Sequence, residues 1–155
     1  MYIGDNMKKI FIYYSLSGNG DEVANYLKDK DIDIRKVETK EILPSNTILR
    51  ILAGGFLAGI NHKDKLVDFD SNISKYDEVI IGSPIWNDHL SCPINTVLDE
   101  IDLVGKKTVF ILYSGNGYTK KAQEKIKNKY PDAEIIHLKE PKKYKATLKE
   151  YLKNL

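Results

Sequence analysis

A chain of 155 residues, 42% hydrophobic and 30% charged, is long enough for one domain with a substantial core and ordinary in composition for a globular protein. Its net charge of +2 is close to balance and demands no strongly charged partner. The single cysteine, Cys92, excludes an intramolecular disulfide and any cysteine cluster for zinc or iron–sulfur.

In chain order, residues 1–7 read as a short polar N-terminal extension, with Met7 as an alternative start, and 8–155 as one domain. With the lone cysteine and no recognisable leader, a cytoplasmic setting is expected. The first strand is Lys8–Tyr14, an apolar run that ends at the hydroxyl- and glycine-rich turn Ser15-Leu16-Ser17-Gly18-Asn19-Gly20. A helix follows over Asp21–Lys28, with a stripe of Val23, Ala24 and Leu27. A turn of this kind between a buried strand and a helix suits a phosphate, because free N–H groups and the positive helix end face it. It holds no lysine or arginine, so a neutral site for one terminal phosphate is expected. The Gly-Lys-Ser/Thr of a nucleoside triphosphate loop is absent.

The second strand is expected over Asp33–Val37. Ile48 to Ile60 is apolar nearly all round and reads as a covered helix broken at Gly54-Gly55; interrupted by Arg50, it is too short for a bilayer, so no membrane insertion is expected. A third strand, Glu78–Gly82, runs into the turn Ser83-Pro84-Ile85-Trp86-Asn87-Asp88. Ile94, Val97, Leu98 and Ile101 then mark one helix face. The fourth strand, Thr108–Tyr113, ends in Ser114-Gly115-Asn116-Gly117-Tyr118. The fifth, Glu134–Leu138, precedes a C-terminal helix with the stripe Tyr144, Leu148, Tyr151, Leu152 and Leu155. Strands apolar at consecutive positions, alternating with helices, imply a parallel sheet covered on both faces. The lysine-rich stretch beyond Tyr118 lacks aromatic–basic interleaving and reads as a solvated surface, so no nucleic-acid partner is expected.

Ligands of such sheets sit beyond the carboxyl ends of the strands, where the three turns fall. The chain resembles the flavodoxin family. Ser15 to Gly20 is similar to that family's Thr/Ser-x-Thr/Ser-Gly-x-Thr phosphate loop, Gly82-Ser83-Pro84-Ile85-Trp86 to the flavin loop of its Gly-x-Pro-x-Trp branch, and Ser114 to Gly117 to its third loop. The resemblance implies a three-layer α/β fold with a doubly wound, five-stranded sheet of order 2-1-3-4-5, and FMN as cofactor. Ser15, Leu16, Ser17, Gly18, Asn19 and Gly20 would hold the phosphate. Ser83, Pro84, Ile85, Trp86 and Asn87 would meet the ring, with Trp86 stacked on one face; Ser114, Gly115, Asn116, Gly117 and Tyr118 would meet its other side. Asp88 is the acid nearest this loop and would disfavour negative charge on the ring. Asn87 tolerates a positive φ, and a peptide near it is expected to reorient on reduction. Two departures stand out: Gly20 replaces the final threonine, and the chain is slightly basic where the family's carriers are acidic.

The expected function is electron transfer, with redox proteins or a small-molecule acceptor as partners. The alternatives are an FMN-dependent NAD(P)H:quinone-type reductase and a non-redox interaction module without FMN. A dinucleotide fold is disfavoured, since Val23 stands at the third glycine position. A receiver domain is disfavoured, since its acids are missing at Tyr14-Ser15 and Gly82-Ser83. His62, His89 and His137 show no metal-ligand spacing; no metal and no catalytic side chain are assigned, though His89 could touch a substrate. Cys92, beside Pro93, reads as a packed residue.

Overall fold

The structure is a computed structural model that describes residues 6–40 and 46–155. Its strands are β1 (Lys9–Tyr13), β2 (Ile32–Lys36), β3 (Glu78–Trp86), β4 (His89–Leu90), β5 (Lys107–Ser114) and β6 (Glu134–Lys139). Its α-helices are α1 (Asn19–Leu27), α2 (Thr47–Gly59), α3 (Cys92–Glu100), α4 (Lys120–Lys129) and α5 (Lys145–Tyr151). The sheet order is β2-β1-β3-β5-β6, all parallel, with the two-residue β4 paired antiparallel to β3. Without that short hairpin strand the order is the expected 2-1-3-4-5.

Successive strand residues face opposite sides, and both sides are filled. Ile10, Ile12, Val79, Ile81, Phe110 and Leu112 pack with Ile94, Val97 and Leu98 of α3 and Ala122 and Ile126 of α4. Phe11, Ile80, Val109, Ile111 and Ile136 pack with Val23 and Leu27 of α1 and Leu148 and Leu152 of α5. This is why the strands read as unbroken apolar runs: burial on both faces removes the alternation that a half-wet sheet would show. In the C-terminal stripe Leu148 and Leu152 are buried, whereas Tyr144 and Tyr151 are exposed.

Two expectations fail, each for a local reason. First, β3 does not stop at Gly82 but continues through Trp86. Its partner β1 ends opposite Gly82, while β5 accompanies β3 as far as Pro84. One side of β3 is therefore free beyond Gly82, and a proline there need leave no ladder bond unmade. Second, α2 is neither broken at Gly54-Gly55 nor covered. It starts at Asn46, whose side-chain oxygen accepts the N–H groups of Ile48 (3.0 Å) and Leu49 (3.2 Å). It then runs straight through both glycines, which are buried. A Cβ on Gly55 would lie 3.1 Å from the Asn87 Cβ, so the glycine serves close approach to the β3–β4 turn. Ile48, Leu49, Leu52 and Phe56 of α2 are exposed. Among the described residues, no helix is long and apolar enough to cross a membrane.

Candidate functional site

The first loop leaves its donors free. Gly18 caps α1 at φ +91°, a left-handed conformation that favours glycine. The first N–H groups of a helix lack intrahelical partners. Here Asp21 N–H is taken by Ser15 Oγ (3.3 Å) and Glu22 N–H by the Gly18 carbonyl (3.1 Å). The N–H groups of Leu16, Ser17, Gly18, Asn19 and Gly20 find no acceptor among the described residues. Ser15 Oγ accepts a hydrogen bond, and so does Ser17 Oγ, from Asn19 Nδ2 at 3.4 Å. Each hydroxyl therefore keeps its own proton to donate. This donor set fits a phosphate.

Gly20 is explained by packing. A Cβ there would lie 2.5 Å from Tyr113 Oη and 2.9 Å from both Tyr13 Cδ2 and the Tyr14 carbonyl oxygen. Tyr113 is buried, and its hydroxyl donates to the Tyr14 carbonyl. Burial pushes that hydroxyl's pKa well above its ordinary value, so it stays protonated and a donor. The space that a threonine would use is filled from β5, and the loop keeps its shape without that hydroxyl. The adjoining Tyr13 hydroxyl donates to Asp21 Oδ1 (2.9 Å), and Lys36 pairs with the same oxygen (2.9 Å).

The loop itself holds no cation, but one reaches it from the far end of the chain. Lys142 lies over Gly18: a Cβ on Gly18 would be 3.5 Å from its Nζ. Its backbone N–H donates to Asn19 Oδ1 (3.0 Å), which fixes the lysine against the loop. A cavity of about 430 Å³ there is lined by Ser17, Asn19, Glu140, Lys142 and Lys143. Nothing near residue 18 in sequence announces this cation. The signal lies in topology: Lys142 follows the carboxyl end of the last strand, and every such end reaches the same edge of the sheet.

The second loop is a tight hairpin. Trp86 pairs with His89, and Asn87 (φ +49°) and Asp88 (φ +65°) between them form a type I′ turn. The positive φ expected at Asn87 is present, and Asp88 shares it. Asp88 is a cap: its carboxylate accepts the Thr119 hydroxyl and the N–H groups of Lys120 (2.8 Å) and Lys121 (3.2 Å) at the start of α4. Its carbonyl accepts Ala122 N–H (3.0 Å). Burial pushes its carboxyl pKa up, but hydrogen bonds from Thr119 and from the Lys121 and Lys120 backbones outweigh this and hold it below the ordinary value. Helix α4 opens with two lysines against its own positive end, and this carboxylate answers both. Asp88 is thus tied to the helix start by hydrogen bonds that keep it ionised.

Ser83 is likewise spent inside. It is fully buried, donates to the Pro84 carbonyl (2.8 Å) and accepts Ser91 N–H (3.1 Å). Trp86 is half-buried and meets Tyr14 edge-on, with centroids 5.9 Å apart and planes at 87°.

The third loop folds on itself. Ser114 Oγ donates to Asn116 Oδ1 (2.9 Å) and accepts Gly117 N–H (3.0 Å), and Tyr118 N–H donates to Asn116 Oδ1 (3.2 Å). Gly117 (φ +77°) lets the loop approach Lys139: a Cβ would come within 2.9 Å of the lysine Cβ. Tyr118 is exposed and leans over His137, centroids 5.3 Å apart. Burial lowers the pKa of His137, and its Nε2 meets Gln123 Oε1 at 2.8 Å. His89 lies half-buried in β4; burial, then repulsion from Lys121, lowers its pKa.

Between the second and third loops lies a cavity of about 400 Å³, lined by Ile85, Asp88, Ser114, Asn116, Tyr118 and Lys120. Of the second-loop residues, Ile85 and Asp88 line it. Lys120 is a second residue that pattern reading missed, because it enters from the helix after the loop. Glu140 N–H donates to the Ser114 carbonyl (3.0 Å), which ties the segment after β6 to the third loop. A phosphate-sized donor set and a cavity with both polar and apolar walls therefore share the carboxyl edge of β1, β3, β5 and β6.

The comparisons agree with this architecture. No curated protein matches the sequence. Among solved structures, a Bacteroides eggerthii protein is 24% identical with a TM-score of 0.70, over 94% of this chain and 98% of that one. A Bacteroides uniformis protein is 18% identical with a TM-score of 0.73, over 95% and 98%. A Lactobacillus acidophilus flavoprotein in complex with FMN is 22% identical with a TM-score of 0.65, over 84% and 90%. These likenesses establish the fold. The sequence model of the flavodoxin family matches residues 58–155, well over half of the chain and the part that carries the second and third loops. The chain belongs to the flavodoxin family.

Proposed function

We propose that the protein binds FMN without a covalent link and works in electron transfer. The observation that supports this is the first loop: two hydroxyls with protons to give and five unclaimed N–H groups lie on one turn, with the Lys142 ammonium against it. Bound FMN would supply reversible electron chemistry, which no side chain of this site offers by itself. The chain's part is to hold and orient. Ser15, Ser17 and the 16–20 amides take the phosphate, with Lys142 balancing its charge. Ile85 and Tyr118 bound the slot for the ring, and the amides of Gly115 and Asn116 border it. Trp86, steadied edge-on by Tyr14, would stand against the ring.

Asn87 is the adjustable element. Turning the peptide between Asn87 and Asp88 converts a type I′ turn to type II′ and presents its opposite pole to the slot. Asp88 stays pinned to α4 at its side chain and carbonyl, so the change is confined to that one peptide. Lysines outnumber acids at the rim: Lys120 lines the slot with Asp88, and Lys142 and Lys143 stand beyond it with Glu140. An acidic redox protein or an anionic small acceptor complements such a rim.

The test is titration of the purified protein with FMN, followed by quenching of its one tryptophan, Trp86. Saturable quenching and a yellow complex that releases FMN in mild acid are expected. A colourless, unquenched protein in excess FMN would leave only the non-redox module. Rapid NADPH oxidation with a small quinone and no added reductase would make the protein an enzyme rather than a carrier.

A further inference from the structure

Helix α2 is built inside out for a helix that ends its packing within one chain. An amphipathic helix normally turns its large apolar residues to the core. Among its described side chains the buried positions are Gly54, Gly55 and Ala58, and the exposed ones include Ile48, Leu49, Leu52, Phe56 and, at the C-cap, Ile60. These five side chains are between 55% and 68% exposed. Ile48, Leu52, Phe56 and Ile60 are spaced four apart and form one continuous i±4n ridge, the ridge used in the commonest class of helix–helix packing.

We infer that this face is the contact between two copies of the chain. Three observations select a second copy over another occupant. The first is area: the five side chains expose on the order of 600 Å² per protomer, so two copies face to face remove ~1,200 Å², which reaches the range of specific interfaces. The second is charge: the only charged residue of α2 is Arg50, so the face offers no charge pattern to choose a different protein and little to repel its own copy. The third is symmetry. The ridge is nearly centred on Gly54, so a two-fold axis there sets Leu52 of one copy against Phe56 of the other, twice, in a closed interface. The inner face of α2 rests on Asn87, so the contact is made by the opposite side of the helix.

Sedimentation velocity on the full chain, from about 1 to 200 µM, tests this directly in the range where an interface of this size associates. The wild type is expected to pass from monomer to twice the monomer mass. Leu52→Glu and Phe56→Glu, which replace mostly exposed side chains, are each expected to weaken association at least tenfold while melting near the wild-type temperature. Val104→Glu, on an exposed loop elsewhere, is expected to leave association unchanged. A wild type that is monomeric throughout, or variants that dimerise as well as the wild type, would overturn the inference. So would a monomeric wild type that floats with phosphatidylcholine vesicles, which would hand the face to a lipid surface.

Discussion

The phosphate end and the ring end of the site lie on one sheet edge but use their polar groups in opposite ways. At the first loop, Ser15 and Ser17 accept hydrogen bonds and so keep their own protons for a ligand, and the neighbouring amides are unclaimed. At the hairpin, Ser83 is consumed by Pro84 and Ser91, and Asp88 by the start of α4. The first region is made to present donors; the second is made to hold a backbone shape. The rule that follows is general: a polar residue beside a cofactor slot belongs to the ligand only after its internal partners have been counted.

That contrast can be broken at either end. The largest effect is expected from Gly20→Ala. Its new Cβ meets Tyr113 Oη and the Tyr14 carbonyl well inside contact distance, and the backbone oxygen cannot swing away. A loss of about 2–3 kcal/mol in urea unfolding is expected, with FMN affinity falling too. Tyr113→Phe in the same chain should recover part of the stability by removing the hydroxyl. Full stability of Gly20→Ala alone would show that the loop is looser than described.

Asp88→Ala should come next, with about 1–2 kcal/mol lost, as for other helix caps. Here FMN affinity should follow stability rather than exceed it, because the residue shapes the turn. The carboxyl pKa is depressed in the folded protein. Its contribution is therefore complete above the unfolded carboxylate value of about 3.9, and is lost as pH falls through the lower folded value. The wild type should lose this increment on acidification below pH 4, and Asp88→Asn should flatten that limb.

The smallest effect on stability and the most selective on binding belongs to Lys142→Ala. The side chain is exposed, so unfolding should change by no more than about 0.5 kcal/mol. FMN should bind roughly 5- to 10-fold more weakly, the difference shrinking as salt is raised, while riboflavin, which lacks the phosphate, should bind as before. Equal losses for both flavins would place Lys142 away from the phosphate.

Much of this was legible in order along the chain. The apolar runs of β1, β3 and β5 and the stripe of α3 are local patterns, and burial on both faces preserved them. The three turns could be assigned to one edge because parallel strands share a direction. What failed was long-range in each case. Pro84 marked the end of a strand by its chemistry, but β3 continues because β1 has already stopped. The glycines of α2 looked like a break until Asn87 was found against them. Gly20 looked like a deficit until Tyr113 was found in its place.

Alone, the amino-acid sequence determined the alternation of strand and helix, the parallel sheet and the position of a phosphate-type turn, because hydrophobic period and turn chemistry act over a few residues. Only the tertiary structure decided which side chains reach that turn and which are tied up elsewhere. Lys142 arrives at Gly18 from 124 residues away, and Asp88 leaves its own loop to cap α4, because charges and hydrogen bonds act through space and are indifferent to the distance along the chain.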